Sequence, residues 1–111
     1  MSIVNLKPYH PLRDLRQAAG LSQEDLASMA DLAAGQPAVS HIESGRPLYR
    51  GAAALACAGV LGVDLVDVLG PAQRQLHAKV AEAGLDDLWL GTDAERRIEL
   101  RELLHAEGVT R

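Results

Sequence analysis

Residues 21–45 read LSQEDLASMADLAAGQPAVSHIESG, and how this stretch divides decides the fold. Ser22 can accept a bond from an unpaired amide of a first helical turn, while Asp25, three residues on, reaches back to complete a capping box. A helix therefore starts here, with Leu26, Ala27, Met29 and Ala30 close to helical spacing on one apolar face. Gln23, Glu24, Asp25 and Ser28 stay on its polar side. A second helix begins near Gln36, with Pro37 suited to a first-turn position. It places Val39 and Ile42 three residues apart, so both point inward, and leaves Gln36, Ser40 and His41 facing out. Gly45 can take the left-handed backbone that ends a helix, and Pro47 cannot continue one. The second helix is thus only about two turns long.

Outward from this pair, the rest of the chain also reads as helix, and no segment alternates like a strand. Residues 12–19 form a helix with Leu12, Leu15 and Ala19 on one face, Arg13 and Arg16 on the other, and Gly20 as its stop. From about residue 50 to 61 a fourth helix contains AAALACAGVL, apolar on nearly every side and expected to be the central strut of the core, with Cys57 packed inside it. Asp64 can cap a fifth helix with Leu65, Val68 and Leu69 inward, and Gly70-Pro71 marks the clearest boundary. Beyond it, Leu76, Val80 and Ala83 share a helical face, Gly84 interrupts, and Leu85, Leu88, Trp89 and Leu90 form an apolar cluster. Thr92 and Glu95 open a last helix carrying Ile98, Leu100, Leu103 and Leu104.

Three blocks in this order, GLSQEDLA at 20–27, VSHIESG at 39–45 and VLGVDLVDVL at 60–69, resemble the helix-turn-helix domains of the lambda-repressor-like, or Xre, family of DNA-binding regulators. The resemblance spans roughly residues 12–69 and implies an all-α, five-helix domain, here with a C-terminal helical extension. The expected organisation is an N-terminal arm at 1–10, the DNA-binding domain at 11–70 and the extension at 71–111. Two departures from the family pattern stand out. The connection around residues 31–35 is two residues longer than usual, which would change the angle of the second helix if it lengthened the first. In PLYRG at 47–51, Arg50 and Gly51 replace the usual helix-starting serine and an apolar residue, so the fourth helix begins late.

Carried over residue by residue, the resemblance implies that Gln23 holds a phosphate and that Gln36, Ala38, Ser40 and His41 face the major groove. In that setting Gln36 can bridge N6 and N7 of adenine, Ala38 can meet a thymine methyl, and His41 can bond a purine N7 or a phosphate. Ser44 and Arg46 match phosphate-contacting positions. Glu43 matches a structural residue that pairs with a base near the first helix, with Arg13 and Arg16 as candidates. In the arm, Lys7 and His10 can reach a DNA backbone. An extension too small to bury its own apolar groups commonly makes a symmetric dimer, with Leu88, Trp89, Leu90, Ile98, Leu100, Leu103 and Leu104 as the expected interface; the alternative is that Trp89 and the leucines fold back on the first domain.

Composition bounds these readings. A chain of 111 residues holds one modest core, and with no phenylalanine and 3% aromatics that core is built from small aliphatic side chains. Up to residue 56 five bases meet five acids; beyond it six bases meet ten acids, which places the whole net charge of −4 in the second half. A neutral reading domain argues against nonspecific coating of nucleic acid and for selective, dimeric binding of double-stranded DNA. The lone Cys57 excludes an internal disulfide and a cysteine metal cluster. Histidines 10, 41, 77 and 105 are isolated, and neither a phosphate-binding glycine loop nor a nucleophile elbow is present, so no catalytic site, metal or cofactor is expected. No apolar run is long enough to span a bilayer and no signal-peptide pattern opens the chain, which makes the cytoplasm the expected compartment. The rival reading is an antitoxin or other interaction module whose acidic extension binds a partner protein.

Overall fold

A computed structural model describes residues 10–91, and all the regular structure in that range is helical. The order is α1 (Pro11–Ala18), α2 (Gln23–Met29), α3 (Gln36–Glu43), α4 (Ala52–Leu61), a single 3-10 turn (Leu65–Val68), α5 (Pro71–Glu82) and α6 (Asp86–Leu90). The side chain of Leu88 and the residues expected to form the last helix lie outside the described residues, as does the arm before His10.

The start signals behave as the residue chemistry dictates. The Ser22 hydroxyl accepts from the Asp25 amide at 2.9 Å, and the Asp25 carboxylate accepts from the Ser22 amide at 3.1 Å. Those bonds from Ser22 hold the Asp25 carboxyl below its usual range. Helix α2 ends sooner than its apolar pattern suggests. Its last turn closes with Asp31 N–H on Ser28 O and Leu32 N–H on Ala27 O, with Asp31 in a left-handed conformation at φ 54°. The two additional residues therefore belong to the connection and do not lengthen α2. The early ending also leaves Met29 60% exposed, so it does not join Leu26 and Ala27 in the core as expected.

One core cluster joins Leu12, Leu26, Ala27, Val39, Ile42, Leu48, Ala54, Cys57, Ala58, Val68, Leu69, Leu76, Val80 and Trp89. Burying each of its larger aliphatic side chains contributes about 1.5–3 kcal/mol. Helix α4 is apolar all round, yet only Ala54, Cys57 and Ala58 are buried, and Leu55 remains 46% exposed, so it is a one-faced strut. Burial pushes the Cys57 thiol up to about 11, with the Glu43 charge adding to the shift, which leaves it an inert packing group. The expected fifth helix is one 3-10 turn, tied by the Asp67 carboxylate accepting from the Asp64 amide at 3.1 Å.

Helix α1 corrects two expectations. Arg16 is 8% exposed and turned into the structure, and Ala19, expected on the apolar face, is exposed at the helix end. His10, expected on a DNA-facing arm, is 2% exposed and caps α1 by accepting from the Leu12 amide on Nδ1 at 3.1 Å. Burial holds its imidazole below the ordinary histidine value, while the Gln73 bond and Glu43 pull it up and Arg13 lowers it further.

The extension up to residue 91 shares this core. Trp89 is fully buried; its Nε1 donates to Leu48 O at 2.7 Å and its carbonyl accepts from Gly51 N at 2.7 Å. A Cβ on Gly51 would lie 2.1 Å from Trp89 Cζ3, so only glycine admits the indole. This accounts for Gly51 in place of a larger residue and for the late start of α4 at Ala52. Trp89 also stacks at a tilt on His77, with ring centroids 4.7 Å apart. Trp89 is thus buried inside a single chain, folded back on the first domain, and Leu90 is half-buried against the same core.

Candidate nucleic-acid interface

Helix α3 is held from below by Val39 and Ile42, at 0% and 2% exposure, so its opposite face is fixed outward. Gln36, Ser40 and His41 are exposed on that face and Ala38 is half-buried beside them, as the spacing predicts. Pro37 sits in the first turn of α3 and Gly45 takes φ 81° after its end.

Beneath this face lies a chain of polar contacts. Arg16 donates Nε to Glu43 Oε2 at 2.7 Å and Nη2 to Glu43 Oε1 at 3.1 Å, a two-point pairing at side-chain exposures of 10% and 4%. Its remaining Nη1 donates to Leu21 O at 2.8 Å, which fixes the loop ahead of α2. Glu43 Oε1 also accepts from Gln23 Nε2 at 3.1 Å, and Gln23 Oε1 accepts from Gln36 Nε2 at 2.5 Å. The buried ion pair thus orients Gln23 at the first position of α2, and Gln23 orients Gln36 at the first position of α3. Glu43 is structural, as expected, and Arg16 is the base it pairs with. What the pattern of alternating faces could not show was that this pair underlies the outward glutamines.

A glutamine amide has two N–H donors and one carbonyl with two lone pairs. Among the described residues only one donor of Gln36 is engaged, by Gln23. Its second N–H and its oxygen remain available for the donor–acceptor pair that adenine presents through N7 and N6. Ser44 is exposed, but its single hydroxyl proton is donated to His41 O at 2.6 Å while its oxygen accepts from Arg46 N at 3.3 Å. In this geometry Ser44 closes the helix end, and a phosphate contact from it would need that proton turned outward. Arg46 follows on the exposed side of the same turn. The structure therefore brings Gln23, Gln36, Ala38, Ser40, His41, Ser44 and Arg46 onto the two helices of one motif and the turn that follows them.

Of the remaining expected interface residues, Trp89 is buried internally and Leu90 is half-buried, while the Leu88 side chain and residues Ile98, Leu100, Leu103 and Leu104 lie outside the described residues. Two buried polar residues escaped sequence reasoning, His10 and Gln73. Gly70-Pro71-Ala72-Gln73 did carry a signal for the latter: a proline at the first helical position and a glutamine two on, whose Oε1 accepts from Gly70 N at 2.8 Å.

A family model described as a helix-turn-helix domain matches residues 10–69, more than half of the chain, and the chain belongs to that family. Its bounds take in α1 to the 3-10 turn and agree with the lambda-repressor-like resemblance. No curated protein and no solved structure matches the chain. Among the described residues no helix is long and apolar enough to cross a membrane.

Proposed function

We propose that this protein is a sequence-specific DNA-binding transcriptional regulator, a repressor that binds a palindromic operator as a dimer. The observation that carries the reading is the relay from Arg16–Glu43 through Gln23 to Gln36. It holds Gln36 on the exposed face of α3 with a donor and an acceptor still available. Such pre-ordering suits base recognition because the side-chain entropy of Gln36 is already partly lost before DNA arrives. An α3 of eight residues spans only a few base pairs, so operator-length selectivity calls for two copies reading two half-sites. The pairing element is assigned to the region of Ile98, Leu100, Leu103 and Leu104, since Trp89 is used inside the chain.

The role is recognition and not catalysis, in keeping with a family that is typically non-enzymatic. The partner-protein alternative gains no support from the described extension, whose Leu76, Val80 and Trp89 are committed to the domain core. Gln36→Ala tests the reading: affinity for the operator should fall by ~1–3 kcal/mol with relaxed preference at one position of each half-site. An unchanged selection profile would remove Gln36 from base recognition.

A further inference from the structure

Gln73 lies outside the matched motif, on the first turn of α5, and is fully buried. Its amide makes four bonds. Nε2 donates to Ile42 O at 2.8 Å and to Arg46 O at 3.0 Å; Oε1 accepts from Gly70 N at 2.8 Å and is 2.8 Å from His10 Nε2. Because His10 Nδ1 accepts from Leu12 N–H, its neutral ring carries the proton on Nε2 and donates it to Gln73. Both donors and both lone pairs of the glutamine are thereby used, and the four partners belong to three separate parts of the chain.

We propose that Gln73 is a positioning residue for DNA recognition, which locks the C-terminal end of α3 and the Arg46 turn to α5 and to the start of α1. The proposal rests on the DNA-binding reading above and extends the recognition apparatus past the family domain into the extension. Helix α3 is about 12 Å long, and its two ends are held by different devices. Gln23 holds Gln36 at the first turn, and Gln73 holds the Ile42 carbonyl at the last. Fixing both ends sets the rotation of the helix about its own axis, which decides whether Gln36, Ser40 and His41 address base edges together. The bond to Arg46 O fixes the backbone from which the Arg46 guanidinium extends.

The burial of an amide here is informative. A methionine or leucine of similar volume would fill the same space in the core but would leave the Ile42 and Arg46 carbonyls, the Gly70 amide and the His10 ring without their partner. What such a side chain cannot do is hold two carbonyls of the α3 end at hydrogen-bond distance. Gly70 fits the same arrangement, since a Cβ there would lie 3.2 Å from His10 Cδ2 and press on the ring that completes the joint.

The test uses the full chain with Gln73→Glu, which keeps the two acceptor bonds and removes the two donors to the α3 end. Gln73→Met, which removes all four, serves as the second variant. Circular dichroism first establishes that each is folded. Hydrogen exchange of the free protein should then quicken at least about tenfold at the Gly45 amide, which donates to Ile42 O, with Ala30 at the end of α2 unchanged. On operator DNA, affinity should fall at least about tenfold, and the salt dependence of log K should flatten by about one per half-site, the change also expected of Arg46→Ala. Gln73→Met combined with Arg46→Ala should bind no more weakly than the weaker single variant, the mark of two changes acting on one contact. A folded variant with wild-type affinity and salt slope, or additive losses in the double variant, overturns the positioning role. If the wild-type chain selects no DNA, faster exchange at Gly45 shows a purely structural joint, unchanged exchange shows no joint, and either result overturns the proposal.

Discussion

Gly51→Ala is a small change with a large expected cost, because Trp89 stands where the new methyl must go. The added Cβ would meet Cζ3 at 2.1 Å and both Cε3 and Cη2 at 2.4 Å, all in a rigid ring that is fully buried. The backbone itself accepts alanine, since Gly51 has φ −104° and ψ −5°, so the penalty is steric and not conformational. Relief requires the indole to retreat by more than about 1 Å from a close-packed core, or to leave it. Leaving gives up the burial of a side chain of roughly 200 Å², about 5 kcal/mol at 25 cal/mol/Å². It also gives up the Trp89 Nε1 bond to Leu48 O, a further ~1 kcal/mol. Partial refilling of the space by the alanine methyl and its neighbours returns some of this, so a loss of about 3 kcal/mol is expected, within the ~3–5 kcal/mol span of tryptophan truncations. The chain has a single tryptophan, which makes its fluorescence a specific reporter of the site. Urea denaturation should show the lower stability, and the emission of the folded variant should shift to the red as the indole meets water. Adding Gly51→Ala to Trp89→Ala should cost almost nothing more, since the clash is gone. Wild-type stability with an unshifted emission would refute the docking of Trp89 on Gly51.

Three other perturbations follow from the same contacts. Glu43→Ala should destabilise the chain by about 3–5 kcal/mol, because it leaves the buried Arg16 guanidinium without its two-point partner; replacing both residues by apolar ones should recover much of that in thermal melts. His10 is held below its unfolded value of 6.5, so the unfolded chain binds the extra proton first. The associated stability is therefore complete above pH 6.5 and is lost as pH falls from there toward the folded value, and urea midpoints between pH 7.5 and 5 should decline less steeply in His10→Gln. Asp31→Gly relieves the left-handed φ of 54° at the end of α2 and should raise the urea midpoint by the equivalent of about 0.5–1 kcal/mol, with recognition unchanged.

Local chemistry makes the helix-turn-helix legible in the sequence. The Ser22–Asp25 box, the Val39–Ile42 pair and the stops at Gly20 and Gly45 each depend on neighbours within one turn, and each appears in the structure as read. Misreadings arose where partners are remote in sequence. On a helical wheel alone Arg16 looks like a surface cation, and only the family resemblance offers it, beside Arg13, as the partner of a carboxylate 27 residues away. His10 looks like part of an arm until Gln73, 63 residues on, supplies its partner. Trp89 reads as an interface anchor, yet composition cannot say whether such a residue closes on its own chain or on a copy, and here it closes on its own chain. The clue was the glycine at position 51, noted as a departure from the family pattern, which is the space the indole occupies. Helical spacing puts Met29 inside only when it is carried through the turn that Asp31 ends.

The central claim is that this chain reads DNA sequence through a face held from beneath by the Arg16–Glu43 pair. Selection from random double-stranded DNA at moderate salt, with the recovered pool rebound across a salt series, tests it most directly. The account predicts a palindromic motif with half-sites about one helical turn apart, lost in Gln36→Ala at one position of each half. Recovery of no motif by the folded protein would contradict it.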